Sequence, residues 1–454
     1  MKRVVFLLPV FAAVSALAAG SVDIVKVTQN WPWDNRVIIE YILSGDEGTS
    51  YDLDLSVESP RGPVKYKANA LDDELYNKTP GTYRLTWNPD GRYDSDLDAA
   101  VVGLKFTLTC REAGVPGKYM VIDIADSENY SVEYLADVPA GGWTDAHKKS
   151  KMVFRRIRPG YFMMGSPADE PGHLDSRKSS FLGLDRQGEA RHPVLLTNEY
   201  WIAICPATYA QICYIDRRAK HDGARNARAG GTIDYWINNY QLMDPARSLN
   251  WVRLVGADNI TSWPTSTDVG SESIIGQMRS RLEGKGTPQG LVFAMPTQAQ
   301  WEYACRAGTE TAWNNGTDCM TNSVGVDANL DLLGIYQPLG GAVAISGNVC
   351  TREPNAWGLY DCHGLVGEVV YGHGAQNNVS TLEVEPTGNG CTREMFCAVR
   401  GGWWQYCWAV HCRSAAKIHS NQAENVGKTA ENSTPKYHSV RFAFIRPRSG
   451  NQWR

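Results

Sequence analysis

Residues 295–308 read Met295-Pro296-Thr297-Gln298-Ala299-Gln300-Trp301-Glu302-Tyr303-Ala304-Cys305-Arg306-Ala307-Gly308, which predicts a short helix with both ends specified. Thr297 and Gln300 form a capping box, in which each side chain can close the other's backbone amide. Met295 can staple onto Trp301, and Gly308 supplies a residue tolerant of the left-handed conformation on which helices end. Outward from this anchor, a second helix is predicted from Thr208 with Gln211 three residues on. A third is predicted from Ser271, with Ile274, Ile275, Met278 and Leu282 on one face. Residues 309–440 are rich in Gly, Asn and Trp and show little helical patterning. A compact domain with so much irregular chain ties its loops with metal ions, disulfides or dense aromatic packing.

The chain before residue 140 follows a different rule. Tyr51, Leu53, Leu55 and Val57 alternate with Asp52, Asp54, Ser56 and Glu58, so the apolar set lies on one face of a strand. The alternation recurs at Val37/Ile39/Tyr41/Leu43, Tyr83/Leu85/Trp87 and Leu104/Phe106/Leu108/Cys110, with Ser44-Gly45 and Asn88-Pro89-Asp90-Gly91 as turns between. Seven or eight short strands over roughly 120 residues predict an antiparallel β-sandwich of immunoglobulin or fibronectin type at 20–139. Residues 140–151, opening on Ala140-Gly141-Gly142, read as a linker. The fold class expected is therefore α+β: an all-β sandwich followed, at 152–454, by a domain low in regular secondary structure.

Lys2 and Arg3, the apolar run Val4–Leu17 and the small residues Ala16-Leu17-Ala18 read as an export signal over residues 1–19. That places the protein in the periplasm or outside the cell. No later run approaches the 18 or so apolar residues that a spanning helix needs. The 454 residues carry 45 Lys+Arg against 49 Asp+Glu, with no basic run of the kind nucleic-acid binding needs. Eleven cysteines could pair in an oxidising compartment, and an odd number leaves at least one unpaired within the chain.

Separated segments in the second part carry more specific information. Phe162-Met163-Met164-Gly165-Ser166 is followed by Glu189-Ala190-Arg191-His192-Pro193-Val194, then by the 295–308 helix and by Pro354-Asn355-Ala356-Trp357-Gly358-Leu359-Tyr360-Asp361-Cys362-His363-Gly364. Last come Val399-Arg400-Gly401-Gly402-Trp403-Trp404, Cys412-Arg413-Ser414-Ala415 and Val440-Arg441-Phe442. In this order and spacing, residues 152–447 resemble the formylglycine-generating enzyme family, the sulfatase-modifying factors. The resemblance implies a variant of the C-type lectin fold. It does not fix the chemistry, because the superfamily includes copper-dependent oxidases of a sulfatase cysteine, iron-dependent sulfoxide-forming enzymes and ligand-binding proteins.

Cys407 and Cys412 match the spacing of the family's two active-site cysteines. The resemblance implies that they hold Cu(I), a soft ion suited to thiolates, while a cysteine of a sulfatase or another polypeptide adds the third sulfur and O2 is activated. Two other readings stay open at this point: packed core thiols, or a disulfide between the two. Departures from the pattern weigh against intact catalysis. Trp403 stands where catalytic members have Ser, and Leu365-Val366-Gly367-Glu368-Val369 stands where they have an Asn-x-Trp-Glu-Trp segment. The resemblance also implies a Ca²⁺ site made by Asp361, Gly364, Val366 and Glu368, whose hard oxygens suit that ion.

No His-x-x-x-Glu-x-His pattern, phosphate-binding glycine loop, Cys-x-x-Cys zinc signature or Gly-x-Ser-x-Gly nucleophile elbow occurs. The alternative to catalysis is a binding protein. Trp403, Tyr406, Trp408 and His411 lie in an aromatic run, and on a lectin-like scaffold such a run can form a recognition surface for a glycan or a protein.

Overall fold

The computed structural model describes residues 20–93, 102–173, 180–181, 184–186, 188–217, 242–246, 249, 251–256, 269–320, 325–338, 341, 347–372, 381–386, 398–403, 407–419 and 438–447. The predicted export signal at 1–19 lies outside them. They divide into two units, one ending at Lys118 and including Gly160–Phe162, the other comprising Tyr119–Pro159 and the described residues from Met163 on.

In the first unit, two three-stranded antiparallel sheets share one core. Ser21–Gln29, Val37–Ser44 and Gly81–Trp87 form one; Gly62–Pro63, Tyr51–Ser59 and Lys105–Glu112 form the other. The inward positions are the apolar ones of the period-two pattern: Val37, Ile39, Tyr41 and Leu43 meet Tyr51, Leu53, Leu55, Val57, Leu85 and Trp87 in a single cluster. Asp52 departs from the pattern. It is 2 % exposed, where its carboxylate accepts from the Asn77 amide at 3.2 Å and faces Arg111 at 3.3 Å. A buried carboxylate persists only with such partners.

The expected boundary at residue 139 is corrected by strand pairing. Tyr119–Asp123 and Ser131–Leu135 belong to a six-stranded sheet of the second unit, in the order Val292–Ala294, Ala443–Ile445, Tyr200–Ala203, Lys151–Ile157, Tyr119–Asp123, Ser131–Leu135. Met120, Val121 and Ile122 are all buried, which marks a strand covered on both faces. Alternation alone does not say which sheet a strand joins. The stretch read as a linker contains the helix Asp145–Lys149 and runs directly into Lys151–Ile157.

A second six-stranded sheet carries the candidate site. Next to its edge strand His438–Val440, with which it pairs parallel, Gly367–Val370 pairs antiparallel with Ala398–Arg400 on its other side. The helix Gln298–Arg306 starts as predicted: Gln300 N–H donates to Thr297 Oγ1 at 3.2 Å and Thr297 N–H to Gln300 Oε1 at 2.9 Å. It ends in two left-handed residues, Ala307 at φ 46° and Gly308 at φ 93°. Tyr209–Ile215 carries the same reciprocal cap through Thr208 and Gln211. The third helix, Ile274–Leu282, is capped by Ser273 rather than Ser271. Its face of Ile274, Ile275, Met278 and Leu282 is buried. The mixture of sheets with few short helices is α+β.

Candidate functional site: an enclosed thiol pair

The strand Ala398–Arg400 leads into Gly401 and Gly402, both in the left-handed region at φ 85° and 69°. The turn lies tight against the thiol that follows. A Cβ on Gly402 would stand 2.5 Å from Cys412 Sγ and 3.0 Å from the His411 carbonyl. Residues 404–406, including Tyr406, lie outside the described residues. The chain resumes at Cys407 and Trp408, makes one 3-10 turn over Ala409–His411, and reaches Cys412, whose amide donates to the Ala409 carbonyl at 2.8 Å.

This turn brings the two cysteines together. The two thiols are close enough to perturb one another, and Cys412 Sγ donates to the Trp408 carbonyl at 3.6 Å. Burial alone would push the Cys407 thiol up. The Cys412 thiol, the His411 ring and the Trp403 backbone reverse this and hold it at about 5. Cys412 is pushed well up by its own burial and by the neighbouring sulfur. The neighbours thus favour thiolate character on Cys407 over Cys412, and soft thiolate donors fit Cu(I).

The pair is also enclosed. Both cysteines are 0 % exposed, and Trp403 and Trp408 only 4 % and 7 %. Trp403 packs edge-on against His438, with ring centroids 5.3 Å apart, and Trp408 stacks on His411 at 5.9 Å. His411 Nδ1 accepts the Trp408 amide at 3.1 Å. The expectation that Trp403, Trp408 and His411 present a ligand-contacting surface is thereby corrected. Trp403 packs on His438, Trp408 packs on His411, and all three residues are buried. The indole found in place of a small hydroxyl is itself buried, against His438.

The residues expected to bind calcium do come close together, but they do not fit a cation. Glu368 Oε2 accepts from Trp301 Nε1 at 2.6 Å and from Arg441 Nε at 2.8 Å, and Oε1 accepts from Arg441 Nη2 at 2.6 Å. Arg441 also donates to the Ala203 and Tyr360 carbonyls. The Gly364 carbonyl accepts the Val366 amide at 2.8 Å, and Asp361 Oδ2 accepts the Cys350 amide at 2.7 Å. Burial, opposed by that amide and by Arg441, raises the Asp361 carboxyl to about 6. A guanidinium stands where the dication's charge would be needed, and a Ca²⁺ ion beside it would be repelled. Among the described residues no group of three or more His, Cys, Asp or Glu is arranged around a common metal position.

Sequence reasoning missed the charged groups that brace the site. Glu302 is fully buried between Arg306 at 2.9 Å and Arg400 at 3.0 Å, and accepts the Gly165 amide at 2.8 Å. Despite the upward push of burial, the two guanidiniums hold its carboxyl below the usual range. Arg413, next to Cys412, lies between Glu170 and Glu189. His363 completes the floor: its Nε2 accepts the Asn314 amide at 3.2 Å and its Nδ1 donates to the Cys412 carbonyl at 2.7 Å. A signal was present in the sequence, since Glu302, Arg400, Arg413 and Arg441 each interrupt an otherwise apolar or small-residue run, and charges in such places are retained in pairs.

An α+β domain short on regular structure, with a thiol pair behind a double-glycine turn, defines the class. A family model described as a sulfatase-modifying factor enzyme 1-like domain matches residues 144–433, and the chain belongs to this family. Among solved structures, Treponema denticola variable protein 1 matches with 18% identity over 65% of this chain and 96% of that one, at a TM-score of 0.41. PvdO from Pseudomonas aeruginosa matches with 16% identity over 66% of this chain and 97% of that one, at a TM-score of 0.38. At these values neither likeness speaks to activity. No curated protein matches the chain.

Proposed function

We propose that Cys407 and Cys412 form a Cu(I)-binding pair of the formylglycine-generating type, acting on a cysteine of a sulfatase or another exported polypeptide. The observation that supports this reading is the single 3-10 turn that brings two fully buried cysteines together, with the Cys407 thiol held low by its neighbours. Two sulfurs preorganised in this way supply the soft, low-coordinate donor set that Cu(I) prefers. The bound ion would supply oxygen activation. The chain's own residues do the rest: Gly402 lets the turn approach Cys412, and His363 fixes the Cys412 backbone. Trp403 and Trp408 keep bulk water from the sulfurs. A substrate thiol reaches the pair only when that indole cover moves, so opening is part of the proposed cycle.

Anaerobic Cu(I) titration of the full chain tests the reading. A tight one-to-one complex that is lost in Cys407→Ser and in Cys412→Ser, together with O2 uptake in the presence of a cysteine-containing sulfatase peptide, is the expected result. Absence of a complex in the wild-type chain rejects it and leaves the non-catalytic reading, an exported receptor for a glycan or protein. For the first unit we propose an immunoglobulin- or fibronectin-type spacer or partner-binding module, with the whole chain delivered to the periplasm or beyond by residues 1–19. Among the described residues no helix is long and apolar enough to cross a membrane.

A further inference from the structure

We propose that Cys205 and Cys350 close an intramolecular disulfide in the mature protein, with Cys350 as the residue that meets the oxidant. This inference does not depend on the copper reading. The backbone places both cysteines on the same dipeptide. Ile204, next to Cys205, accepts the Tyr360 amide at 2.7 Å, and Cys350 donates its own amide to the Asp361 carboxylate at 2.7 Å. On the other side of the segment, the Val349 amide donates to the Met243 carbonyl at 3.0 Å. The first two of these bonds bring the Cys205 and Cys350 segments to the same pair of residues and the third fixes Val349 beside Cys350, and the Cys205 side chain is close enough to perturb the Cys350 thiol.

The pair is asymmetric in access: Cys205 is 6 % exposed, while Cys350 is only partly buried. That distinguishes it from two other neighbouring thiol pairs among the described residues. Cys305 and Cys362 are both buried, and Cys305 Sγ is already shared with His363 Nε2 and Ser414 Oγ, each at 3.8 Å. Cys407 and Cys412 belong to the enclosed site. Cys205 and Cys350 are also far apart in sequence, so a bond between them would remove much loop entropy from the unfolded chain.

The chemistry is a thiol–disulfide exchange with a small disulfide as oxidant. The neighbouring Cys205 and burial push the Cys350 thiol up, so exchange is slow at neutral pH and quickens as pH rises. The fraction of Cys350 that ionises attacks one sulfur of the oxidant, whose S–S bond breaks and releases one thiolate. Cys205 then attacks the Cys350 sulfur of the mixed disulfide and releases the second. The two cysteine protons end on the two released thiols, one S–S bond is lost and one gained, and the oxidant is reduced by two electrons.

The test uses the full chain incubated with oxidised glutathione, then alkylated and mapped by mass spectrometry without reduction. The expected result is the loss of two alkylatable thiols, a peptide cross-linking Cys205 to Cys350, and a lower urea midpoint after reduction. In Cys205→Ser, Cys350 should instead end as a stable glutathione adduct, and in Cys350→Ser, Cys205 should stay free. A wild-type chain in which both thiols remain alkylatable, in which Cys350 stops at the glutathione adduct, or in which Cys350 is joined to a different cysteine overturns the proposal. The wild-type map decides even where a serine variant fails to fold.

Discussion

Arg441 grips Glu368 along both carboxylate oxygens, at 2.6 and 2.8 Å, with neither side chain more than 1 % exposed. The pair joins the strand Gly367–Val370 to the C-terminal segment that follows His438–Val440. Through the further bond from Trp301 it also joins the helix Gln298–Arg306.

Removing one partner should be costly. Arg441→Met leaves Glu368 buried without its counter-charge, and the expected loss is about 3–5 kcal/mol in urea unfolding. Arg441→Met combined with Glu368→Gln should recover part of that loss, because the stranded charge goes with it. Strict additivity of the two single losses would show that the residues do not act as a pair.

The same pair predicts indifference to calcium. A site occupied at about 100 times its Kd would add ~2.7 kcal/mol to stability. Thermal unfolding of the chain should instead give the same Tm in calcium and in excess chelator. A rise in Tm with calcium that disappears in Glu368→Gln would restore the site the resemblance implied.

Gly402 is a sharp test of the turn. At φ 69° and with Cys412 Sγ in the way, Gly402→Ala should destabilise the chain by about 1–3 kcal/mol. It should also change the thiol chemistry, which can be followed by the ultraviolet absorbance of the thiolate. A variant with native stability would mean that the turn does not need the left-handed conformation.

Cys407 also gives a pH prediction. Its folded-state value of about 5 lies below the model-peptide thiol value of 9.0, so ionisation of this group favours the folded state. The contribution is complete above pH 9, declines as pH falls, and is gone below about 5. Wild-type minus Cys407→Ser stability should therefore decrease between pH 9 and 5, and thiolate absorbance should be lost near the lower limit. A flat difference would refute the assignment.

Trp403→Ser should open the cover. Lowering the cost of exposing sulfur by ~1.4 kcal/mol would speed alkylation of Cys407 about tenfold. An unchanged rate would place the barrier elsewhere, in Trp408 or in the turn itself.

Local chemistry was legible wherever the partners are near in sequence. The Thr208/Gln211 and Thr297/Gln300 boxes, the buried face of Ile274–Leu282, and the alternation through Val37–Leu43 and Tyr51–Val57 all depend on neighbours a few residues away. So does the meeting of Cys407 with Cys412, which one 3-10 turn accomplishes. Tyr119–Asp123 was assigned to the wrong unit because a strand's pattern states that it has a face to bury and not which partner will cover it. Trp403 and Trp408 were read as a surface for the same reason: an indole's preference for burial is intrinsic, but which wall it joins depends on the path of the chain.

The amino-acid order by itself determined the family, the helix caps, the two-face patterning of the first sheets and the nearness of the thiols, because each rests on short-range spacing or on a string of motifs. Only the tertiary structure decided that Arg441, from the far end of the chain, would neutralise Glu368 in place of a cation. It also decided that Trp403 and Trp408 would be buried and that Cys205 would lie beside Cys350. The charge pair and the Cys205–Cys350 approach join segments tens to hundreds of residues apart, and the nearby indoles take their wall from the path of the chain, because buried charge or thiol chemistry is set by what lies within a few ångströms in space.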